Sequence, residues 1–321
     1  MTQSNMKCNI FRKEIFKMKK LLTFFLLAMT CATAWAQTNA PRTVEFVWPW
    51  ASGAGGVANM MRHLMNAANQ QQTKYQFVWT QKLGAGSSIG ANHVLSSTSL
   101  AILANGDGMY TRPLMYNEAH DVTQFQIITT ICSNTPLALY SKKYTSVDQL
   151  RNKDISVGVN PGTAVQLLTS LLINNNPDIK FTVVPYKGLP ESITDMLGGH
   201  LDATVAFVGS GSSALSAANV SVLGITGTRS FPNMPTFASQ RIKGVDQLTN
   251  TFYIFAPRTL DAATAQELNM IFNAAAKSDQ YKEACQNERG QVEAITLDQA
   301  ARLHQSNMQK WQKFTQGIVK Q

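Results

Sequence analysis

The chemistry most legible in this sequence belongs to its main chain. Residues 49–56, Pro-Trp-Ala-Ser-Gly-Ala-Gly-Gly, lie between a β-type run and an amphipathic helical run. Backbone N–H groups in such a strand-to-helix turn have no partner inside the helix and are free to face an anion. Residues 84–90, Gly-Ala-Gly-Ser-Ser-Ile-Gly, repeat the arrangement after the next strand and add two hydroxyls, each able to donate or accept. A third turn, Gly-Val-Asn-Pro-Gly-Thr at 158–163, again leads from strand to helix. Pro161 and Gly162 set its bend, and Thr163 stands where a residue can cap or donate. Loops of this kind meet at the carboxyl ends of strands in an α/β protein. The bland alternative is that the glycines serve tight turns and nothing else.

Candidate contacts for a bound solute are Trp50, Ser52, Gly53, Gly55, Gly56 and Asn59 around the first turn, and Gly86, Ser87, Ser88 and Ile89 in the second. Asn105, Thr163, Tyr186, Lys187 and Gly209, at further turns and strand ends, complete the set. Alternation sends Trp48 and Trp50 to one face, with Trp48 the better candidate for scaffold and Trp50 for the mouth of a cleft.

Enzymatic chemistry finds little support. Neither of the first two loops has the Gly-x4-Gly-Lys-Ser/Thr spacing of a nucleotide loop, and both lack lysine. His63, His93, His120, His200 and His304 form no HExxH pair, and the nearest approach to a nucleophile turn is Gly209-Ser210-Gly211. Asp107, between Gly106 and Gly108, reads as a turn residue. No cofactor motif is present, no metal spacing links Cys132 and Cys285, and these two cysteines are open to a disulfide or to buried thiols.

The chain has 321 residues, 44% of them hydrophobic and 15% charged, which excludes disorder and fibre. Lys17, Lys19 and Lys20 precede the apolar run 21–29, which leads to Ala34-Trp35-Ala36. This pattern predicts a signal peptide over 1–36, cleavage before Gln37, and a periplasmic protein. The run is too short for a membrane span. Met18 offers a second start, and Cys31 is preceded by residues that suit lipidation poorly. Without residues 1–36 the formal charge falls from +9 to +4, 22 basic against 18 acidic side chains. No basic cluster interleaved with aromatics appears, so nucleic acid is excluded as a partner.

The elements that must position the loops alternate from Thr43 onward. Strands are expected at 43–48, 75–80, 100–104 and 125–131, with helices at 57–68 and 89–96, giving a parallel sheet. A second series starts beyond Pro136, with strands at 137–140, 155–159, 180–186, 201–208 and 221–225. Ser146 with Gln149 suggests a capping box, and a helix is expected over 163–173. The tail reads as strand 251–256, helices 261–276 and 279–287, strand 291–295 and a long helix to Ile318. Residues 37–135 hold too few strands for a sheet of their own, which assigns 251–321 back to them and leaves 136–250 as a second lobe. Two crossings, near Thr135 and Asn250, make a hinged cleft.

Several motifs then keep both order and spacing across the mature chain: the three loops, Pro185-Tyr186-Lys187-Gly188, Leu197-Gly198-Gly199-His200-Leu201-Asp202, and Pro232-Asn233-Met234-Pro235-Thr236. In this the sequence resembles the Bug-type receptors of tripartite tricarboxylate transporters. The resemblance implies a two-lobed type II periplasmic-binding-protein fold. Its first lobe would hold a ligand carboxylate through two glycine-rich loops and ordered water, and second-lobe loops would close over it. It also implies delivery of a small carboxylate-bearing solute to membrane permease subunits, by a monomer, without catalysis. Lys187 becomes a candidate partner for the anion. The first loop departs from the family's Pro-Phe-Pro-Pro-Gly-Gly pattern, and Asn59 stands where the family has Asp, which removes a charge and makes amino-acid ligands less expected. The alternative role for the same architecture is a ligand-binding partner of a membrane receptor kinase.

Overall fold

The alternating apolar runs fold, among the described residues, as ten strands in two five-stranded sheets. The computed structural model describes residues 40–51, 56–117, 119–210 and 219–318. The expected signal peptide, Cys31, and the candidate contacts Ser52, Gly53 and Gly55 lie outside the described residues.

The first half of the chain supplies β1 (Arg42–Trp48), α1 (Gly56–Gln70), β2 (Tyr75–Gln81), α2 (Ser88–Ser96), β3 (Ala101–Gly106), α3 (Gly108–Met115) and β4 (Phe125–Thr135). There follow β5 (Leu137–Ser141), β6 (Asp154–Val159), α4 (Ala164–Asn175), β7 (Lys180–Pro185), α5 (Leu189–Gly198), β8 (Ala203–Phe207) and β9 (Ser221–Ile225). The chain ends with β10 (Asn250–Pro257), α6 (Ala262–Ala275), α7 (Asp279–Asn287) and α8 (Leu297–Phe314). The first sheet runs β2-β1-β3-β10-β4 and the second β7-β6-β8-β5-β9. The chain thus leaves the first sheet after Thr135 and re-enters it at Asn250. Residues 40–42 and 73–76 form a small unit in which the Arg42 N–H donates to the Lys74 carbonyl at 2.8 Å; the rest of the described chain is one body.

Neither sheet is wholly parallel, which corrects the reading made from the strand–helix alternation. β1 pairs with β3 in parallel, but β10 runs antiparallel to both β3 and β4. In the second sheet β6 is parallel to β7 and β8, while β5 is antiparallel to β8 and β9. The physical reason is the double crossing: β4 leads out of the first sheet through Pro136 and β10 leads back into it, so the two crossing strands run in opposite directions.

Periodicity is honoured where it was strong. In α1, Met60, Met61, Leu64 and Ala68 are fully buried at spacings of three and four. Phe272 of α6 packs on Phe46 and Phe77 with ring centroids 6.0 and 4.9 Å away. Each such buried ring contributes about 1.5–3 kcal/mol. α8 starts with a complete capping box, Thr296 with Gln299, and buries Trp311. The box expected at Ser146 does not form: Ser146 makes no side-chain cap, and the Gln149 side chain accepts instead from the Thr145 N–H at 2.8 Å. The strand expected at 291–295 reduces to one bridge between Gln291 and Ser133.

Two buried groups tie the segments together. Cys132 at the end of β4 and Cys285 in α7 form a disulfide, their Cα atoms 5.9 Å apart. Asp107 sits in the turn its Gly-Asp-Gly setting suggests, but it is buried. Its carboxylate accepts from the Thr251 N–H at 2.7 Å, the Tyr253 hydroxyl at 2.8 Å and the Trp311 indole at 3.1 Å. It therefore joins the start of α3 to β10 and α8, and burial raises its pKa from the ordinary 3.8 to about 6.

Candidate functional site

A cavity of about 280 Å³ opens between the two sheets, small beside the roughly 300–1,000 Å³ of drug-sized pockets. The first lobe lines it with Trp48 at the end of β1 and Trp50 just beyond it, Asn105 and Gly106 at the end of β3, and Asn250 and Phe252 of β10. The second lobe adds Asn160 and Thr163 after β6, Leu189, Pro190 and Ile193 of α5, and Phe207 at the end of β8. Strand ends dominate both groups because parallel β-strand to helix connections leave their turns on one side of each sheet.

Helix starts surround the space. Val57 and Ala58 begin α1, Gly108 begins α3, Thr163 caps α4, and Gly188 and Leu189 begin α5, and all of them line the cavity. The first N–H groups of a helix have no partner inside it, and its start carries the positive end of the helix dipole. The Thr163 side chain accepts from the Val165 N–H at 3.2 Å, so α4 is capped by its own residue, and its hydroxyl donates to the Asn160 carbonyl at 2.8 Å.

The polar side chains add a second, independent signal. Trp50 Nε1 and the Gly106 N–H both donate to Asn105 Oδ1 at 2.9 Å, and the Asp107 N–H donates to Asn250 Oδ1 at 3.2 Å. These bonds orient both amides with their oxygens occupied. Asn105 Nδ2, Asn250 Nδ2 and Trp48 Nε1 are buried without a partner among the described residues. A buried donor left unsatisfied costs about 1–3 kcal/mol, and all three residues line the cavity. No Asp, Glu, Lys, Arg or His is among the described residues that line the cavity. The stretches 52–55 and 211–218 contain no ionisable residue in their sequence.

Of the expected contacts, the structure brings Trp50, Asn105 and Thr163 to the cavity. Gly56 stands beside it, where an added Cβ would meet Ser210 Oγ at 2.5 Å. Asn59 lies off the lining, its Oδ1 accepting from Arg62 at 3.1 Å. Gly86, Ser87, Ser88 and Ile89 do not line it either. Residues 84–87 all adopt left-handed φ, 118, 46, 55 and 79°, so the loop turns toward the second lobe. A Cβ on Gly86 would meet the Pro161 carbonyl oxygen at 2.5 Å. Ser88 Oγ bonds His120 Nδ1 at 3.1 Å, and Ile89 is 49% exposed.

Tyr186 and Lys187 also lie away from the cavity. The Tyr186 hydroxyl donates to Asp195 at 2.6 Å, and Lys187 is exposed, its N–H donating to Glu191 at 3.2 Å. The Gly209 N–H is occupied by Glu288 Oε2 at 2.9 Å. Glu288 is buried, which raises its pKa from the ordinary 4.5 to about 7, against the lowering effect of the Gly209 and Ser210 N–H groups. Sequence reasoning missed Trp48 as a wall, and also Asn160, Asn250, Phe207 and Phe252. Their shared signal is position at a strand end, next to a turn.

Contacts across the cleft hold the lobes together. Thr111 Oγ1 of α3 donates to the Gly162 carbonyl at 2.7 Å, and the Tyr116 hydroxyl donates to Gln166 of α4 at 3.0 Å. The Arg112 guanidinium lies over the Tyr116 ring at 3.6 Å, and its stem fills the space beside Gly162. No cluster of three or more His, Cys, Asp or Glu is placed to hold a metal, and no helix is long and apolar enough to cross a membrane, among the described residues.

BugT of Bordetella pertussis is 24% identical over 313 residues, covering 90% of this chain and 93% of the relative. The solved periplasmic binding protein BugD aligns at a TM-score of 0.78 with 21% identity, covering 87% of this chain and 99% of its own. An R. palustris protein solved with adipate also aligns at 0.78, with 22% identity and coverage of 87% and 99%. These likenesses identify the fold as the type II periplasmic-binding-protein fold, two lobes about a cleft. The model of the tripartite tricarboxylate transporter family receptor matches residues 60–319, and the chain is a member of that receptor family, a binding protein and not an enzyme.

Proposed function

We propose that this receptor works outside the inner membrane, captures a small carboxylate-bearing solute between its lobes, and delivers it as a monomer to tripartite-type permease subunits. The observation that carries the reading is the set of buried, unpartnered N–H donors of Trp48, Asn105 and Asn250 in a cavity ringed by helix starts. Neutral donors aimed in advance at a carboxylate bind it without the cost of burying a second charge. The adipate bound by the R. palustris relative agrees with that chemistry. The sequence 1–36 as a signal peptide and the Cys132–Cys285 disulfide both favour an oxidising, extracytoplasmic setting.

In this reading lobe one is 37–135 with 251–321, lobe two is 136–250, and Thr135 and Asn250 flank the hinge. Trp50, Asn105 and Thr163 are the ligand contacts retained from the sequence, joined by Trp48 and Asn250. Thermal-shift screening against carboxylates, amino acids and sugars tests the proposal. A carboxylate is expected to raise the melting temperature. Stabilisation by sugars alone would reject it.

A further inference from the structure

The two walls of the cavity differ in kind, and the difference bears on which carboxylate fits. The unpartnered donors, Trp48 Nε1, Asn105 Nδ2 and Asn250 Nδ2, all belong to the ends of first-sheet strands. Facing them, the second lobe contributes Leu189, Pro190, Ile193 and Phe207. Phe207 meets Phe252 edge to face, centroids 5.2 Å apart, making an aromatic floor where the lobes join. Four polar side chains interrupt the apolar wall, Asn160, Thr163, Thr194 and Ser210, and the Thr163 and Thr194 hydroxyls already donate to the Asn160 and Pro190 carbonyls at 2.8 and 2.9 Å.

We infer that the solute is a monocarboxylate on an apolar body, an aryl or short alkyl acid, with its carboxylate on the first lobe and its body against α5 and Phe207. The inference rests on the carboxylate-receptor reading and narrows it. A second carboxylate would have to lie among these apolar side chains. Among the described side chains of that wall no buried donor is left spare to receive it, and burying an unpaired carboxylate is strongly unfavourable. Asn160 sharpens the exclusion. Its Nδ2 donates to the Tyr186 carbonyl at 3.2 Å, which leaves Oδ1 as a buried acceptor without a partner. An oxygen acceptor repels a carboxylate and is satisfied by a single hydroxyl on the apolar body. The small volume, about 280 Å³, suits one ring or a chain of a few carbons.

The test is isothermal titration of the purified protein with benzoate, hexanoate, adipate and malate, alongside benzamide as the uncharged control. Benzoate or hexanoate is expected to bind at least about tenfold more tightly than either dicarboxylate, and benzamide about tenfold more weakly than benzoate. The variant Thr194→Lys places an ammonium on the apolar wall at an exposed position, and its unliganded melting temperature reports that the fold is kept. It is expected to narrow or reverse the preference in favour of adipate. Tighter binding of adipate or malate by the unmodified protein overturns the monocarboxylate assignment while leaving the carboxylate reading in place. Benzamide binding as well as benzoate, or no acid of either class binding, overturns both.

Discussion

Asp107 and Trp311 are 204 residues apart in sequence, yet the indole N–H of one donates to the carboxylate of the other at 3.1 Å. With Tyr253 and Thr251 on the same carboxylate, this contact fastens the last helix beneath the strand end that presents Asn105 to the cavity. The packing of α8 and the placement of Asn105 are therefore coupled.

Replacing Asp107 by Ala removes the acceptor for three buried donors. Each is left unsatisfied, so the variant is expected to lose about 3 kcal/mol or more in urea unfolding. Asp107→Asn keeps the shape and one acceptor and is expected to lose less. Equal stability of the Ala variant and the parent would refute the role assigned to the carboxylate.

Glu288 gives a pH signature. Its carboxyl is raised to about 7 when folded, so the folded chain holds this proton more tightly than the unfolded chain. Stability from this group is complete below pH 4.5 and is lost as pH climbs through 7. Arg289 and Tyr140 are its charged and titratable neighbours. Asp107 is raised in the same direction, so the comparison must be between variant and parent. In Glu288→Gln the fall in melting temperature from pH 5 to pH 8 is expected to be shallower than in the parent. An unchanged slope would show that the group does not govern it.

Gly162 adopts φ +79°, and a Cβ there would meet Arg112 Cδ at 2.2 Å. Gly162→Ala is thus expected to push Arg112 off its seat and weaken closure, lowering solute affinity by about tenfold for a cost of roughly 1–3 kcal/mol. The Thr111 contact to the Gly162 carbonyl would loosen with it. Titration of parent and variant with the same acid measures the change.

Cys285→Ser removes the bond between β4 and α7. Equilibrium unfolding is expected to show a loss of about 2–5 kcal/mol, and added reductant should bring the parent down to the variant while leaving the variant unaffected. A reductant effect on the variant as large as on the parent would point to some other cause.

What the sequence made legible were features that repeat locally. The long helical run to Ile318 marked α8, and Thr163 ahead of an apolar helix marked a cap that does form. Strand direction was hidden, because the residues of β10 alternate in the same way whether it runs with β3 or against it. The second glycine loop was legible as a turn but not as a turn that faces Pro161 and Arg112. Asn160 and Asn250 were hidden for a different reason. A single amide has no period, and its meaning comes from Tyr186 and Asp107, which occupy one end of each and leave the other spare.

The covalent link described above has a topological side. Cys132 precedes every strand of the second sheet and Cys285 follows them, 153 residues later. The second lobe is therefore a closed ring of chain rooted twice in the first. A protease that cuts it once yields two pieces that stay joined and part on a gel only after reduction, so a nicked molecule keeps both halves of its trap in reach of one another.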